Sequence, residues 1–450
     1  MMRVRRHVPT HRRMAGLSLI EMMIALVMAL IVAAGIITVF QSTSSSNRAQ
    51  AQLATLQEEG RFAIHSLRTD LANANGTYCS NTGGNAGVTS SGLYLDSLRS
   101  PTVYVESNLT NTGVTGHFPD NTIALPDPTQ AYSLPSSIFM RGYDCGTNSG
   151  SCKPVDPSAN TDIPVLGTAV GDRVPGTSVL TIRYLRPGSG WAVVPSTASP
   201  GTTISANSDG TVTSIALDQL PGEDPVTDFT GSIAMLADCS NAQVFTVSNS
   251  SNTLTPNSNY APPLDMSKGA APRVFDFAND FQTVTYYLKV VDTGNGHTTG
   301  ALVRRINGRE DVAGAGELVR GVERLNFLYG IIDASGDVQY LTANEVDTAT
   351  DSDGNSIPCP PGVSTDGGMG NAGCLWRAVQ TIEVYILMDG QTPLYTLTPA
   401  EMNYIYSPDG DTAPELPSHH TIKPDADQGF PLQVLRREFT TVVALRNFNP

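Results

Sequence analysis

The sequence predicts an α+β fold in which one long N-terminal helix packs on a mainly antiparallel β-sheet head with long, disulfide-stapled loops. An apolar run over residues 17–40 contains a single carboxylate, and helical spacing continues beyond it. From residue 77 onward, short β-branched and aromatic runs alternate with Gly, Ser, Asn and Pro. We therefore divide the chain into a basic leader (1–16), the membrane-spanning half of the helix (17–40), its amphipathic half (41–76) and an extracytoplasmic head (77–450).

The apolar run is long enough to cross a membrane. Twenty-four helical residues span about 36 Å, against about 30 Å of hydrocarbon. A cleaved secretory signal has a shorter apolar core of about 7–15 residues and ends in small residues. The segment before the run carries five arginines and no acid, so the positive-inside rule keeps the N-terminus cytoplasmic and places the head outside.

Glu21 is the unusual residue of this run, because a carboxylate in lipid costs about 3 kcal/mol or more and is by default a functional hypothesis. A plain transmembrane anchor, the ordinary alternative, does not need it. Cleavage just before the run would create an ammonium group close to this carboxylate, and opposite charges attract strongly where the dielectric is low. We expect Glu21 to be a docking and register device.

The helix continues past the membrane segment, because apolar residues recur there on one helical face. These are Leu53, Leu56, Ala63, Ile64, Leu67 and Leu71. Asn75 and Gly76 form a plausible stop, so the predicted helix runs from Leu17 to about Asn75. Gly35 and Gly60 each weaken it by about 1 kcal/mol relative to Ala. They mark bends or close packing in a filament, or they are merely tolerated, which is the commoner case.

The head contains runs with the composition of strands, separated by turn-rich segments. The candidate strands are residues 178–186, 211–217, 232–236, 243–247, 283–291, 301–306, 324–332, 378–388 and 438–447. Three long segments, 77–92, 110–133 and 342–373, are expected to be loops that decorate a smaller sheet.

The charge balance limits the classes of partner. The chain has 27 basic and 42 acidic residues, and removal of the leader's five arginines leaves 22 basic residues, a net charge of −20. We therefore expect neither nucleic-acid binding nor broad attraction to anionic lipid. The sequence contains no phosphate-binding loop, HExxH or GxSxG motif, so it indicates neither an enzyme nor a cofactor.

The six cysteines all lie on the predicted outer side of the membrane, which predicts three disulfides with fifteen alternative connectivities. Proximity in the chain pairs Cys145 with Cys152 and Cys359 with Cys374, and leaves Cys79 to reach Cys239. A metal site is the alternative, but the spacings contain neither CxxC nor paired histidines.

Two weaker patterns concern metals. Asp351, Asp353 and Asn355 alternate like ligands of a calcium loop, although the remaining positions of an EF-hand are wrong; the alternative is a turn built on Asp353 and Gly354. His419 and His420 lack the context of a zinc site and are expected to be a solvated loop pair.

The N-terminal residues resemble a known processing motif. Ala15 and Gly16, followed by LSLIE over residues 17–21, are similar to the type IV prepilin cleavage motif, in which Gly precedes an apolar residue and Glu is the fifth mature position. The resemblance implies that a prepilin peptidase cuts between Gly16 and Leu17 and methylates the Leu17 amine. It also implies that Glu21 meets the N-terminal amine of a neighbouring subunit. The usual first mature residue is Phe, from which Leu17 departs.

Several later segments resemble the PilW family of minor pilins. They are LQEEGRFA at 56–63 with DL at 70–71, DC at 238–239 with VF at 244–245, ELVRGVE at 317–323 with YG at 329–330, RREF at 436–439 and VALRN at 443–447. The resemblance implies a structural subunit that primes a type IV pilus and sits at or near its tip. Its implied partners are the major pilin, other minor pilins and a tip adhesin of the PilY type.

That resemblance implies a protein of the bacterial inner membrane with its head in the periplasm, later displayed on the pilus for adhesion or motility. Two alternatives remain open. One is a minor pseudopilin of a type II secretion system. The other is a membrane-anchored, adhesin-like binding protein, which would need neither cleavage after Gly16 nor Glu21.

Overall fold

The computed structural model describes residues 18–76, 78, 86–89, 92–95, 102–104, 132–134, 136–158, 163–238, 242–257, 272–294, 296–332, 338–359 and 373–445. Its first element is the helix α1, Leu19–Leu71. The chain divides into two compact units, Met1–Leu53 and Ala54–Pro450, and α1 contributes residues to both. The second unit is the head.

The helix ends four residues earlier than its sequence predicts. Asn73 and Ala74 donate backbone hydrogen bonds to the carbonyls three residues before them, which tightens residues 72–75 into turns. Asn75 then adopts a left-handed conformation with φ of 63°, the kind of residue that stops a helix.

The head is built from twenty strands and three short helices among the residues described. In chain order the strands are β1 Ala86–Thr89, β2 Gly92–Leu95, β3 Thr102–Tyr104, β4 Tyr132–Ser133, β5 Met140–Tyr143, β6 Val179–Leu185, β7 Trp191–Ala192, β8 Thr203–Ala206, β9 Val212–Ala216, β10 Ile233–Ala237, β11 Ala242–Ser250, β12 Thr253–Pro256, β13 Arg273–Asp276, β14 Phe281–Asp292, β15 Thr298–Ile306, β16 Gly316–Arg320, β17 Val322–Ile332, β18 Val338–Leu341, β19 Val379–Asp389 and β20 Arg436–Ala444. The helices are α2 Phe277–Asp280, α3 Ala343–Thr348 and α4 Pro399–Met402.

These strands form four sheets. A four-stranded sheet has the order β18-β17-β19-β20, and a five-stranded sheet has the order β16-β15-β14-β6-β5. A nine-stranded sheet follows β7-β13-β10-β11-β12-β9-β8, with β3 paired to β11 and β4 paired to β3. Strands β1 and β2 pair with each other. Every pairing between two of these strands is antiparallel except that of β3 with β11. The predicted α+β class is therefore confirmed.

The largest core lies where the head part of α1 meets the four- and five-stranded sheets. Leu56, Ala63, Leu67 and Leu71 of the helix are fully buried in it beside residues of both sheets. Their spacing of seven, four and four keeps them on one helical face, as the sequence predicts.

The nine-stranded sheet is for the most part an insertion into the five-stranded one. Strand β6 ends at Leu185 and β14 begins at Phe281, and these two residues lie directly opposite each other in the sheet. The chain therefore leaves the five-stranded sheet after Leu185 and returns to it at Phe281. The residues between these points form β7 to β13. The insertion brings its own apolar clusters, one of them around Trp191 and Phe229. It is therefore an accessory layer with a core of its own.

Each of the nine segments predicted as strands from composition contains a strand in the structure, and residues 446 and 447 of the last segment lie outside the described residues. The expectation that residues 77–92 and 342–373 form only loops is wrong for both segments. The first contains β1, and the second begins with α3. Thr342 caps this helix: its hydroxyl accepts from the backbone of Glu345, whose side chain accepts from Thr342 in return. This Thr-x-x-Glu pattern is a capping box that the sequence displays.

Candidate functional site

The candidate site begins at the N-terminus of α1. Gly16 and Leu17, the predicted cleavage and methylation residues, lie outside the described residues. Glu21 lies in the first turn of the helix, and its Oε2 accepts a hydrogen bond from the backbone N–H of Ser18 at 3.0 Å. The Ser18 hydroxyl oxygen accepts one from the backbone N–H of Glu21 at 3.3 Å. The two residues form a capping box that closes the first helical turn.

Ser18 is a residue of the site that the sequence reasoning missed, although the Ser-x-x-Glu spacing was a sufficient signal. The cap gives the Glu21 carboxylate a local hydrogen-bond partner at the end of the helix that favours negative charge. Its other oxygen, Oε1, accepts no hydrogen bond from the described residues. The proposed docking role of Glu21 stays a prediction, and this arrangement leaves one oxygen available for it.

The apolar segment of α1 is exposed in the part of the chain that the structure describes. Its large apolar side chains are all more than half exposed. They are Leu19, Ile20, Met22, Met23, Ile24, Leu26, Val27, Met28, Leu30, Ile31, Val32, Ile36, Ile37, Val39 and Phe40. Among the residues described, α1 is the one helix long and apolar enough to span a membrane. Lipid, or apolar helices of other subunits, must cover this surface.

The head part of α1 is held by polar contacts in addition to its apolar face. Gln391, just after β19, donates its side-chain amide to Glu59 Oε2 at 2.8 Å. The pKa of Glu59 is raised overall. Burial is the largest cause and the charge of Glu58 adds to it, whereas this hydrogen bond acts in the opposite direction. Just beyond the end of the helix, Arg377 donates to the carbonyl of Asn75 at 2.9 Å. The helix is therefore fixed to the head at both ends of their contact.

Asp70, in the last turn of α1, is the centre of the strongest of these contacts. Arg304 donates to both carboxylate oxygens, with Nη2 3.0 Å from Oδ1. The hydroxyls of Tyr184 and Tyr286 donate at 3.0 and 2.7 Å. Burial, and then the charge of Asp70, raise the pKa of both phenols, so they remain donors at neutral pH.

The arginine of this cluster stays charged. Burial lowers the pKa of Arg304, but the hydrogen bond to Asp70 and the charge of that carboxylate outweigh burial and raise it. One carboxylate on the helix thus binds three donors from β6, β14 and β15, which ties the end of the helix to the five-stranded sheet.

Two disulfides connect cysteines that are neighbours in the chain. They join Cys145 to Cys152 and Cys359 to Cys374, the pairs that the sequence suggests. The Cys145 sulfur also accepts a hydrogen bond from the buried guanidinium of Arg173, with Nη1 2.9 Å away. The predicted third pair, Cys79 with Cys239, lies outside the described residues.

The candidate calcium residues form a closed turn. Asp351 Oδ1 accepts from the backbone N–H groups of Asp353 and Asn355, at 3.0 and 2.7 Å, and Oδ2 accepts from the Asn355 amide at 3.0 Å. These hydrogen bonds lower the pKa of Asp351, the side-chain bond from Asn355 most of all. In the part of the chain that the structure covers, no group of three or more His, Cys, Asp or Glu residues is arranged to hold a metal ion.

The expectation that His419 and His420 are both solvated is wrong for one of them. His420 is buried, and its Nδ1 lies 2.9 Å from Asp411 Oδ2. Its ring stacks on Tyr404 with centroids 3.8 Å apart. His419 is exposed. The segment between β19 and β20 folds back over the sheet, which buries one imidazole of the pair and leaves the other in water.

Two segments of the chain match family models. Residues 11–37 match the prokaryotic N-terminal methylation motif. Residues 285–447 match the type IV pilus-assembly protein W family, PilW. No curated protein and no solved structure matches the chain.

The two matches fall on different parts of the structure. The first covers the start of α1 with Ser18 and Glu21, and the second covers β14 from Thr285 through β20. The inserted strands β7 to β13 lie outside both. Together the matches support a type IV pilus-associated minor pilin that is anchored in a membrane. The N-terminal motif implies processing by a prepilin peptidase and assembly with other pilins.

Proposed function

We propose that this chain is a minor pilin that helps to prime assembly of a type IV pilus and sits at or near the filament tip. Before assembly its head lies in the periplasm, and afterwards it lies on the cell surface. The methylation motif at residues 11–37 and the PilW segment at residues 285–447 support the class. The exposed apolar segment of α1 supports the membrane stage.

The proposed tip position is supported by the place at which the insertion joins the head. Leu185, the last residue before it, donates a backbone hydrogen bond to the carbonyl of Gly76, just after α1. The insertion therefore joins at the end of the head where the helix finishes, whereas Glu59 meets Gln391 nearer to its start. Subunits that repeat along a filament must leave room for the next subunit beyond that end. A large insertion at that end of the head fits best in the subunit at the filament tip, because no further subunit lies beyond it.

In this role Gly16 and Leu17 are the cleavage site, Leu17 is methylated, and Glu21 docks on the amine of a neighbouring subunit. The partners are the prepilin peptidase, the major pilin, other minor pilins and a PilY-type adhesin. The role is structural and needs no catalysis. The PilW match favours a pilus over a type II secretion system, and an exposed tip position also suits surface binding.

The first test is the intact mass and N-terminal residue of the protein from its own membrane, with and without the prepilin peptidase. We expect a mature chain that starts at Leu17, carries one methyl group and is absent from the peptidase mutant. A chain that starts at Met1 or Met2 in both strains would exclude the pilin class. The Glu21→Ala variant should be processed but incorporated poorly into filaments.

The tip position needs a second test. An epitope placed in the exposed turn at Ser251 and Asn252, between β11 and β12, should bind gold-labelled antibody at one end of sheared pili. The same epitope at Asp353, in another exposed turn, controls for access. Label spaced along the shaft would contradict a tip subunit, and loss of pili on deletion of the gene would support priming.

A further inference from the structure

Strand β20 is an edge strand with a regular register. It pairs with β19 on one side only, from Arg436 opposite Asp389 to Ala444 opposite Thr381, with no register shift. Just beyond it, Leu445 donates its backbone N–H to Gln380, the residue directly opposite. Opposed residues of an antiparallel pair alternate between bonded and non-bonded. The backbone groups of Thr440, Val442 and Ala444 therefore point away from β19, toward the open edge.

Beyond its charged start at Arg436, Arg437 and Glu438, strand β20 lacks the usual protection of an edge strand among the residues described. Within the described residues, no other segment hydrogen-bonds the backbone of Thr440, Val442 or Ala444, and residues 440–444 contain no charge and no proline. Natural sheets normally shield their edges by short strands, charges, bulges or cover. The edge at Thr440, Val442 and Ala444 is therefore open within the described part of the chain.

The other edges of the four-stranded and five-stranded sheets are shielded. Strand β18 has only four residues, and β5 is buried along its whole length. Strand β16 has an irregular register with β15 and carries the Glu317–Arg320 ion pair. The open edge of β20 is therefore unlike the others.

The sheet face beside this edge is apolar and exposed. Val442 is 48 % exposed on β20, and on β18 Val338 is 49 % and Tyr340 40 % exposed. The register puts all three on one face, since Tyr340, Gly330, Thr381 and Ala444 form one row across the sheet. The opposite face packs against α1, where Phe439 contacts Gly60.

We propose that the open edge of β20 pairs with an extended strand from the head of a neighbouring, different pilin subunit. The outward N–H and C=O groups of the edge recur at every second residue, and an extended strand presents matching groups at the same spacing. The partner segment is therefore a β-strand. The uncharged stretch from Thr440 to Ala444 fits a neutral, β-branched or apolar strand. This inference rests on the proposed function.

The occupant is another subunit rather than a second copy. After cleavage each copy carries a net charge of −20, with 22 basic and 42 acidic residues, and like charges oppose pairing of two copies. The N-terminal methylation motif implies assembly with other pilins. A neighbouring subunit of a different sequence is therefore the available partner.

The structure supplies a matched pair of positions for the test. Val442 and Val338 are the same residue type, are equally exposed and lie on one face at opposite edges of one sheet. A photo-crosslinking amino acid at each position, in cells that assemble pili, should report which edge is covered. We expect Val442 to cross-link to a β-strand of another pilin subunit, with about tenfold higher yield than Val338. Equal yields, cross-links to a second copy or to a protein that is not a pilin, or no cross-link, would overturn the proposal.

Substitutions test the same edge in the full chain. Val442→Lys places a charge at the edge, and Thr440→Pro removes an outward N–H, a change that edge strands tolerate. Each should lower the amount of this chain in sheared pili about tenfold, whereas Val338→Lys should not change it. Unchanged levels of the processed chain in the membrane, and an unchanged melting temperature, show that the variants fold.

The outcomes separate the two proposals. Should the wild-type chain remain uncleaved or be missing from pili, the proposed function fails. Where the wild type is incorporated and Val442→Lys is incorporated equally well, only the edge pairing is wrong. Equal losses in Val442→Lys and Val338→Lys would show that the apolar face, and not the edge, is the docking surface.

Discussion

The carboxylate of Asp70, in the last turn of α1, is held by the guanidinium of Arg304 in β15 through two hydrogen bonds. The side chains are 9 % and 15 % exposed, so the pair is largely removed from water. The hydroxyls of Tyr184 and Tyr286 donate to the same carboxylate. Loss of this one carboxylate would leave a largely buried cation without its counter-charge and two buried phenols without their acceptor.

The first prediction follows from this pair. Asp70→Asn should lower the free energy of unfolding by about 2–4 kcal/mol, because the charge of Arg304 then lacks a counter-charge. Urea titration of the full chain in detergent, followed by circular dichroism, measures it. Asp311→Asn is the matched control, because its pair with Arg309 is exposed, and it should change nothing measurable. Equal effects of the two substitutions would show that Asp70 does not anchor the helix.

The second prediction concerns the contact of α1 with β20. A Cβ on Gly60 would lie 2.5 Å from the ring of Phe439, closer than carbon atoms approach. Gly60→Val should therefore destabilise the head by about 1–3 kcal/mol, despite the loss of a flexible glycine. Gly35→Ala in the same helix has nothing within 4 Å of the added carbon and should leave the melting temperature of the isolated subunit unchanged or slightly higher. Thermal melts in detergent test both variants, and a Gly60→Val chain as stable as wild type would contradict the close contact.

The third prediction is a pH dependence that comes from Asp389. Burial, and secondarily the charge of Glu323, raise the pKa of this carboxyl to about 7, although Thr299 and Arg436 act in the opposite direction. The unfolded chain releases the same proton near pH 4. The folded state therefore binds more protons between these values, and this carboxyl's contribution to the free energy of unfolding falls as the pH rises from about 4 to about 7.

Asp389→Asn removes that contribution. Its amide can still accept from the backbone N–H of Gln391 and donate to the Thr299 hydroxyl, the two groups that now bind the carboxyl at 2.6 Å. Relative to wild type, the variant should become more stable by about 1 kcal/mol or more at pH 7.5, and the difference should shrink toward pH 4. Urea unfolding at several pH values gives the difference curve. A difference that is constant with pH would show that Asp389 is ionised throughout.

The fourth prediction concerns the cysteines. Peptide mapping of the unreduced protein should recover Cys145 linked to Cys152 and Cys359 linked to Cys374, as in the structure. We expect a third linked pair, Cys79 with Cys239. A thiol reagent added to the denatured, unreduced chain should label none of the six. Substantial labelling of Cys79 and Cys239 alone would remove the third bridge and leave the other two intact.

Local patterns were enough to predict much of this fold. The β-branched runs that became β6, β14, β17 and β19 carry their signal within a few residues, and so does the apolar face of α1. Two cysteine pairs were close enough in the chain for proximity to suggest them. Glu21 stood out because a carboxylate is rare in an apolar run.

Other features could not be predicted from local patterns, because the residues that cause them lie far away in the chain. Strands as short as β7 and β4 take their form from the strands beside them, so their own residues carry little signal. His420 is buried because residues between β19 and β20 fold over it, whereas its neighbour His419 is not. Ser18 is different, because its Ser-x-x-Glu capping pattern lies within a single turn of the sequence.

The sequence by itself determined the membrane helix, the processing motif, the acidic head and the α+β class, because each depends on composition or on spacing within one segment. Tertiary structure alone decided that Asp70 meets Arg304, that residues 186–280 form an insertion between paired strands, and that β20 is left at an open edge. These depend on which strands become neighbours. That choice is made by burial of apolar surface summed over the whole head, and no single segment records it.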